Sequence, residues 1–207
     1  MQSLHGQPDR EDLVVDTVGA IAVDCFGNVA AGSSSGGIGM KHRGRCGPAA
    51  LVGVGTAVMP VDPDDQDETS VAVVTSGTGE HIATTLAAAT CADRIYSSVR
   101  KVKGSELESC TEDEAMHSVI AREFMNHPGV KGSHCAGAIG IMAVKKTRDG
   151  VMLLFGHNTD SFALANMQSL DRKPSCVMSR NNGQSSIAQG GRYARYGRGH
   201  QGRTTTR

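Results

Sequence analysis

Tryptophan is absent from this 207-residue chain, and the aromatic residues together make up only 3% of it. A core without large rings must be filled by small and β-branched side chains packed closely, as in stacked sheets and helices. The 26 glycines favour that close approach. The length suits one domain with a sizeable core. No apolar run is long enough to span a bilayer. The cysteines (Cys25, Cys46, Cys91, Cys110, Cys135 and Cys176) show no C-x-x-C or metal-ligand spacing, and no secretory signal peptide precedes them. Reduced thiols in an intracellular protein of the cytoplasm or nucleus are therefore expected, with no metal and no cofactor called for. His134-Cys135 is not read as a thiol–imidazole pair, because neighbours on a strand point to opposite faces.

Acids are missing from the last part of the chain. Residues 1–171 carry 13 Lys/Arg against 21 Asp/Glu, a balance of −8, whereas residues 172–207 carry 8 Lys/Arg and no acid. The run from Gly190 to Arg203 interleaves Gly, Arg and Tyr. Such a run is read as a solvated, disordered terminus, with RNA contact through phosphates and stacking as the alternative.

The polar residues 1–12 read as a linker, followed by the apolar run Leu13-Val14-Val15 and then Asp16-Thr17. Alternation predicts a strand from Thr17 to Val23, a turn over Asp24–Asn28, and a returning strand over Val29–Ser34. Further strands are predicted over Leu51–Val58 and Ser70–Thr75, flanking the acidic loop Asp62–Glu68. That loop lacks the glycine and terminal Glu of a calcium-binding hand and is read as solvated. A helix is expected over Glu80–Val99. Thr111 and Glu114 form a capping box that opens a second helix with apolar face Met116, Val119, Ile120 and Phe124, stopped by Pro128-Gly129. Ala136–Val144 and Val151–Phe155 read as a hairpin, with further strands over Ser161–Asn166 and Ser175–Met178. Strands, two helices and strands again predict a layered α/β fold.

Four blocks then occur in order: Thr17-Val-Gly-Ala-Ile-Ala-Val-Asp24 with Gly27-Asn28-Val29-Ala30-Ala31, Ser34-Ser35-Gly36-Gly37, Gly44-Arg45-Cys46-Gly47, and Ser76-Gly77-Thr78-Gly79-Glu80. Together they resemble the β subunit of the type 2 asparaginase family of N-terminal nucleophile hydrolases. Asp16 before the nucleophile, Ser35 in place of the asparaginase Thr, Lys41-His42 and His81 resemble the threonine aspartase (taspase) branch. The resemblance implies a four-layer αββα sandwich, of which this chain supplies the β-subunit half. Residues 1–16 would be the end of the α subunit or a linker, 17–187 the catalytic β-subunit-like domain, and 188–207 the Arg/Gly-rich tail. Family precursors carry a long segment before the nucleophile, whereas sixteen residues precede Thr17 here. An α-subunit segment is therefore an expected partner, and the family implies αβ units paired into a dimer of heterodimers.

The chemistry follows from the first residue of the β subunit. A threonine hydroxyl is a poor nucleophile without a base, and an N-terminal threonine carries that base as its own α-amine, with an ordinary pKa of about 7.7–8. In the precursor the Thr17 hydroxyl would first attack the Asp16 carbonyl, giving an ester that water opens. Ser35 is expected beside the Thr17 amine. By resemblance the Ser76 hydroxyl and the Gly77 N–H stabilise the oxyanion, with Gly77 and Gly79 letting the backbone approach the substrate. Arg45 would hold a substrate carboxylate in its planar fork. Asparaginases place an Asp three residues after this Arg to bind the substrate's ammonium group; here Pro48 stands there and pairs with no cation. These residues predict an endopeptidase cutting after aspartate in protein substrates. The rival readings are an asparaginase or isoaspartyl peptidase on small substrates, and a non-catalytic remnant acting as a binding module.

Overall fold

The computed structural model describes residues 17–38, 41–181, 183 and 187–196. The expected linker 1–16, Asp16 included, and the tail beyond Tyr196 lie outside the described residues. Eleven strands are described: β1 (Thr17–Val23), β2 (Val29–Ser35), β3 (Thr56–Met59), β4 (Ser70–Gly77), β5 (Val99–Lys101), β6 (Leu107–Ser109), β7 (Ile139–Thr147), β8 (Gly150–His157), β9 (Ser161–Asn166), β10 (Ser175–Arg180) and β11 (Ala188–Arg195). The helices are α1 (Gly79–Thr85), α2 (Ala87–Tyr96), α3 (Glu112–Ser118), continued by a π-helical stretch over Val119–Met125, and α4 (Pro128–Lys131). A short 3₁₀ turn covers Pro48–Ala50. Among the described residues no helix is long and apolar enough to cross a membrane.

The centre is a five-stranded antiparallel sheet in the order β11-β8-β7-β4-β3. One face carries the core. Val71 and Val73 of β4, Ile139, Ile141 and Ala143 of β7 and Leu154 of β8 meet Ile82, Ala88, Cys91, Ile95, Met116, Ile120 and Phe124 of the helices. Each fully buried Ile or Phe contributes about 1.5–3 kcal/mol, and small residues set the spacing. A Cβ at Gly156 would stand 2.8 Å from Ile120 and 3.0 Å from Met116. Lys145 fastens the sheet to the helices, its ammonium donating to Glu112 at 2.7 Å, Ser98 at 2.9 Å and the Ile95 carbonyl at 3.0 Å.

Two hairpins lie on the opposite face. In β1–β2, Thr17 is the register partner of Ser35 and Val23 that of Val29. The connecting turn is tied by Asp24, whose carboxylate accepts from the Phe26 and Asn28 amides at 2.8 Å, with Gly27 at φ +84°. The hairpin presses Gly19 onto Val74 of β4, where a Cβ would stand 2.7 Å from the valine side chain. In β9–β10, Phe162 packs over Gly140 and stacks on His157 with ring centroids 5.6 Å apart. The described residues therefore form a mixed α/β architecture of a helix layer, a central antiparallel sheet and a layer of hairpins. An outer helix layer, as the αββα sandwich requires, is not among them.

The hairpins β1–β2 and β7–β8, the strands β9 and β10 and the capping box follow the sequence expectations, and β9 and β10 pair with each other. Thr111 Oγ1 accepts from the Glu114 amide at 3.3 Å while the Glu114 carboxylate accepts from the Thr111 amide at 3.0 Å. Elsewhere the structure differs. The expected 80–99 helix is broken at Leu86, which adopts the left-handed conformation at φ +47°, and its end becomes β5. The strand expected from Leu51 begins only at Thr56, because Gly53 turns the chain at φ +81° and Gly55 is pressed against the Pro48 carbonyl. Pro128 opens α4 rather than ending the helix region, occupying the first turn where its missing N–H costs nothing. Residues 188–195, expected in the tail, form the sheet-edge strand β11, whose Gly190 and Gly191 make room for Phe155 and Leu154 of β8.

His157 offers a test of the second face. Its side chain is fully buried, with Nδ1 3.0 Å from the Thr159 carbonyl and Nε2 2.8 Å from the Ser179 hydroxyl. Burial lowers its pKa below the ordinary value of 6.5, against the opposing pull of the Thr159 carbonyl. The folded protein thus binds this proton less readily than the unfolded chain, so stability is full above about pH 6.5 and declines as pH falls below it toward the lowered value. Urea denaturation at pH 7.5 and 5.5 should show that loss, and His157→Gln should reduce it.

Candidate active site

A cavity of about 250 Å³ opens where β1, β2 and the end of β4 meet the loop after β2 and the start of α1. Thr17, Ser35, Arg45, Pro48, Ser76 and Gly77 all line it. These positions are spread over 61 residues of chain, and the fold brings them together in three steps. The contact of Gly19 with Val74 lays β1 across β4, which carries Thr17 toward Ser76 and Gly77. The register pairing puts Ser35 opposite Thr17. The Ser33 hydroxyl, 3.2 Å from the Ala49 carbonyl and 2.7 Å from the Thr56 hydroxyl, ties the Pro48–Ala50 turn and β3 to β2.

Thr17 Oγ1 donates to Ser35 Oγ at 3.0 Å, and Ser35 Oγ also accepts from the Gly37 amide at 3.0 Å. Ser35 thus meets the hydroxyl of Thr17. Holding two incoming donors, its oxygen fixes the Thr17 rotamer and the turn after β2 together.

Gly77 sits at φ +140°, and a Cβ there would collide with the Ala138 carbonyl oxygen at 2.1 Å. A Cβ at Gly79 would stand 2.9 Å from Pro48. Both glycines are therefore demanded by the protein's own packing, quite apart from any ligand. The same contacts shape the cavity wall, since Pro48 rests on the start of α1.

Arg45 lies in the loop that turns at Gly44, φ +84°, and its guanidinium pairs with the Glu80 carboxylate. The Arg45 hydrogen bond holds the Glu80 carboxyl below its ordinary pKa. A monodentate pair with an exposed acid leaves the remaining guanidinium donors for a second carboxylate. Glu80 and Lys41 also line the cavity. Both stand in the sequence blocks without an assigned role, and the available signal was their place: Glu80 three residues after the left-handed Gly77, and Lys41 four residues before Arg45.

His134 and Cys135 fall in an exposed loop. The acidic loop is ordered by its own backbone: Asp62 accepts from the Asp64 amide, and Asp65 from the Asp67 and Thr69 amides, at 2.8–2.9 Å.

A family model described as Asparaginase matches residues 2–164. The isoaspartyl peptidase of Salmonella typhimurium is 45% identical over 83 residues, which cover 40% of this chain and 24% of that protein. The isoaspartyl peptidase of Escherichia coli is 42% identical over 83 residues, covering 40% and 23%. An isoaspartyl peptidase/L-asparaginase of Xenopus laevis is 38% identical over 78 residues, covering 38% and 23%. The chain thus matches about a quarter of the length of these curated relatives.

Ser35→Ala removes the acceptor of both the Thr17 hydroxyl and the Gly37 amide. Loss of one such bond costs about 0.5–1.5 kcal/mol, so any Thr17-dependent scission should slow by roughly threefold to tenfold or more, as followed by intact-mass spectrometry over time.

Proposed function

The chain belongs to the asparaginase family, and on that premise we propose that it is a hydrolase whose nucleophile, Thr17, is freed by scission of the Asp16–Thr17 bond and then attacks an aspartyl unit held by Arg45. The observation that carries this reading is the Thr17 hydroxyl on Ser35, in one cavity with the Arg45 guanidinium.

In the scission, Thr17 Oγ adds to the Asp16 carbonyl carbon, the C–N bond breaks, and the hydroxyl proton ends on the released nitrogen. Water then opens the ester, leaving an Asp16 carboxylate and a Thr17 with free hydroxyl and amine. In turnover the amine takes the hydroxyl proton as Oγ attacks the substrate carbonyl and gives it to the leaving amine. A second water releases the acyl group and restores Thr17. The Ser76 hydroxyl and the Gly77 N–H are the proposed oxyanion donors, at the end of β4 where the cavity closes.

Two substrates fit an Arg that holds one carboxylate of an aspartyl unit. If Arg45 holds the side-chain carboxylate, the main-chain bond after aspartate is cut; if it holds the α-carboxylate, the side-chain amide is cut. The names of the relatives support the second reading, an isoaspartyl peptidase or asparaginase, more directly. The cavity residues support the first, an endopeptidase cutting after aspartate. Pro48 carries no charge for a free ammonium group, and Glu80, the one carboxylate in the cavity wall among the described residues, is taken up by Arg45. We favour the endopeptidase on that ground. An α-subunit segment completing the site, and pairing of αβ units, belong to the same proposal.

Thr17→Val keeps the shape and removes the hydroxyl, so a protein that otherwise yields a chain starting at Thr17 should remain uncut by mass spectrometry. The substrate is decided by comparing an Asp-containing peptide, its Asn analogue, an isoaspartyl dipeptide and free asparagine on the processed protein. The Asp peptide should exceed its Asn analogue in kcat/KM by about tenfold to a hundredfold, the worth of one charge-assisted hydrogen bond. Faster hydrolysis of the isoaspartyl dipeptide or of free asparagine would instead establish the small-substrate reading.

A further inference from the structure

The cavity wall holds three charged side chains among the described residues, Lys41, Arg45 and Glu80. Arg45 and Glu80 answer each other. Among the described residues Lys41 is answered only by a carbonyl dipole, and that leaves a positive charge in the wall that also holds Thr17.

We propose that Lys41 is a positioning residue for the base: its ammonium, clamped next to the Thr17–Ser35 pair, keeps the liberated Thr17 amine unprotonated near neutral pH. This rests on the reading of Thr17 as an N-terminal nucleophile. The clamp is a hydrogen bond from Lys41 Nζ to the Gly36 carbonyl at 2.6 Å. Gly36 directly follows Ser35, whose oxygen binds the Thr17 hydroxyl and the Gly37 amide. Gly37 is left-handed at φ +72°, and a Cβ there would lie 3.4 Å from Lys41 Nζ, so the ammonium sits over the turn itself. The long side chain therefore returns from the loop to the strand end that carries the reacting pair, rather than extending into solvent.

The surrounding charges decide the sign. β1, β2, β4 and the Pro48–Ala50 turn contribute only hydroxyl, glycine and apolar residues to the cavity, α1 contributes Glu80, and the loop after β2 contributes Lys41 and Arg45. Among the described residues, with Glu80 paired to Arg45, Lys41 is the cavity charge without an acidic partner, and its contribution at Thr17 is positive. A nearby positive charge disfavours protonation of an amine and lowers its pKa, here by roughly one unit for a single screened cation. An amine of ordinary pKa near 7.7–8 is about one-tenth to one-sixth neutral at pH 7; one unit lower, it is more than about half neutral.

A merely structural Lys41 would stabilise the turn without moving a titration. Three variants separate the roles. Lys41→Gln retains a donor for the Gly36 carbonyl and removes the charge, Lys41→Arg retains both, and Lys41→Met removes both. The readout is the pKa of the new terminal amine, measured by competitive labelling with an amine reagent across pH on the processed protein. It is paired with the acid limb of the kcat/KM profile. The amine pKa and the limb should rise by about one unit in Lys41→Gln and Lys41→Met and stay in place in Lys41→Arg. Equal amine pKa values across wild type, Gln and Arg would overturn the role of Lys41 while leaving the nucleophile intact. A wild-type protein that never yields a chain starting at Thr17 would instead defeat the hydrolase reading on which this one rests.

Discussion

The contact between Gly19 and Val74 governs this molecule. A strand can lie this close over another sheet only where a side chain is missing, and the 2.7 Å that a Cβ would find there leaves no room for alanine. Because the two layers touch at that point, the start of β1 is carried over the end of β4, and Thr17 arrives beside Ser76 and Gly77. The hairpin then delivers Ser35, and the loop after it delivers Arg45. A chain poor in aromatic residues can make such a contact because its sheets are spaced by small side chains rather than by rings.

The same economy explains which parts of the fold were legible beforehand. Hairpins β1–β2 and β7–β8 declare themselves by alternation and by turn residues, β9 and β10 as separate strands, and α3 by the reciprocal bonds of Thr111 and Glu114. These are local signals. What escaped depends on distant partners. Leu86 breaks the Ala-rich helix without a Gly or Pro, and the first amides of α2 are taken by the distant loop before β3, Ala88 donating to the Val54 carbonyl at 3.3 Å and Ala89 to the Gly53 carbonyl at 2.9 Å. The edge strand β11 reads as a Gly/Arg tail because its glycines mark where β8 side chains lie over it.

At the site, the blocks around Thr17, Ser35, Arg45 and Ser76-Gly77 pointed to residues that do share one cavity. Their individual tasks were less visible. Ser35 meets the hydroxyl of Thr17, and Arg45 meets Glu80, relations that exist only after β2, the following loop and α1 are placed together. The glycines of the fourth block serve Ala138 and Pro48 before they can serve a ligand. A motif of this kind records backbone geometry as much as chemistry.

The register of β1 with β2 has a mechanical consequence. Thr17 is the first paired residue among those described, and from Val18 to Val23 the strand holds six further partners on β2. Fraying of a chain end normally blurs the position of its last residues. Here the Thr17 side chain is tied to Ser35, and the backbone two residues on is wedged against Val74. A break in the chain just before Thr17 would therefore create an end without slack, able to keep its coordinates although nothing any longer pulls on it from the other side.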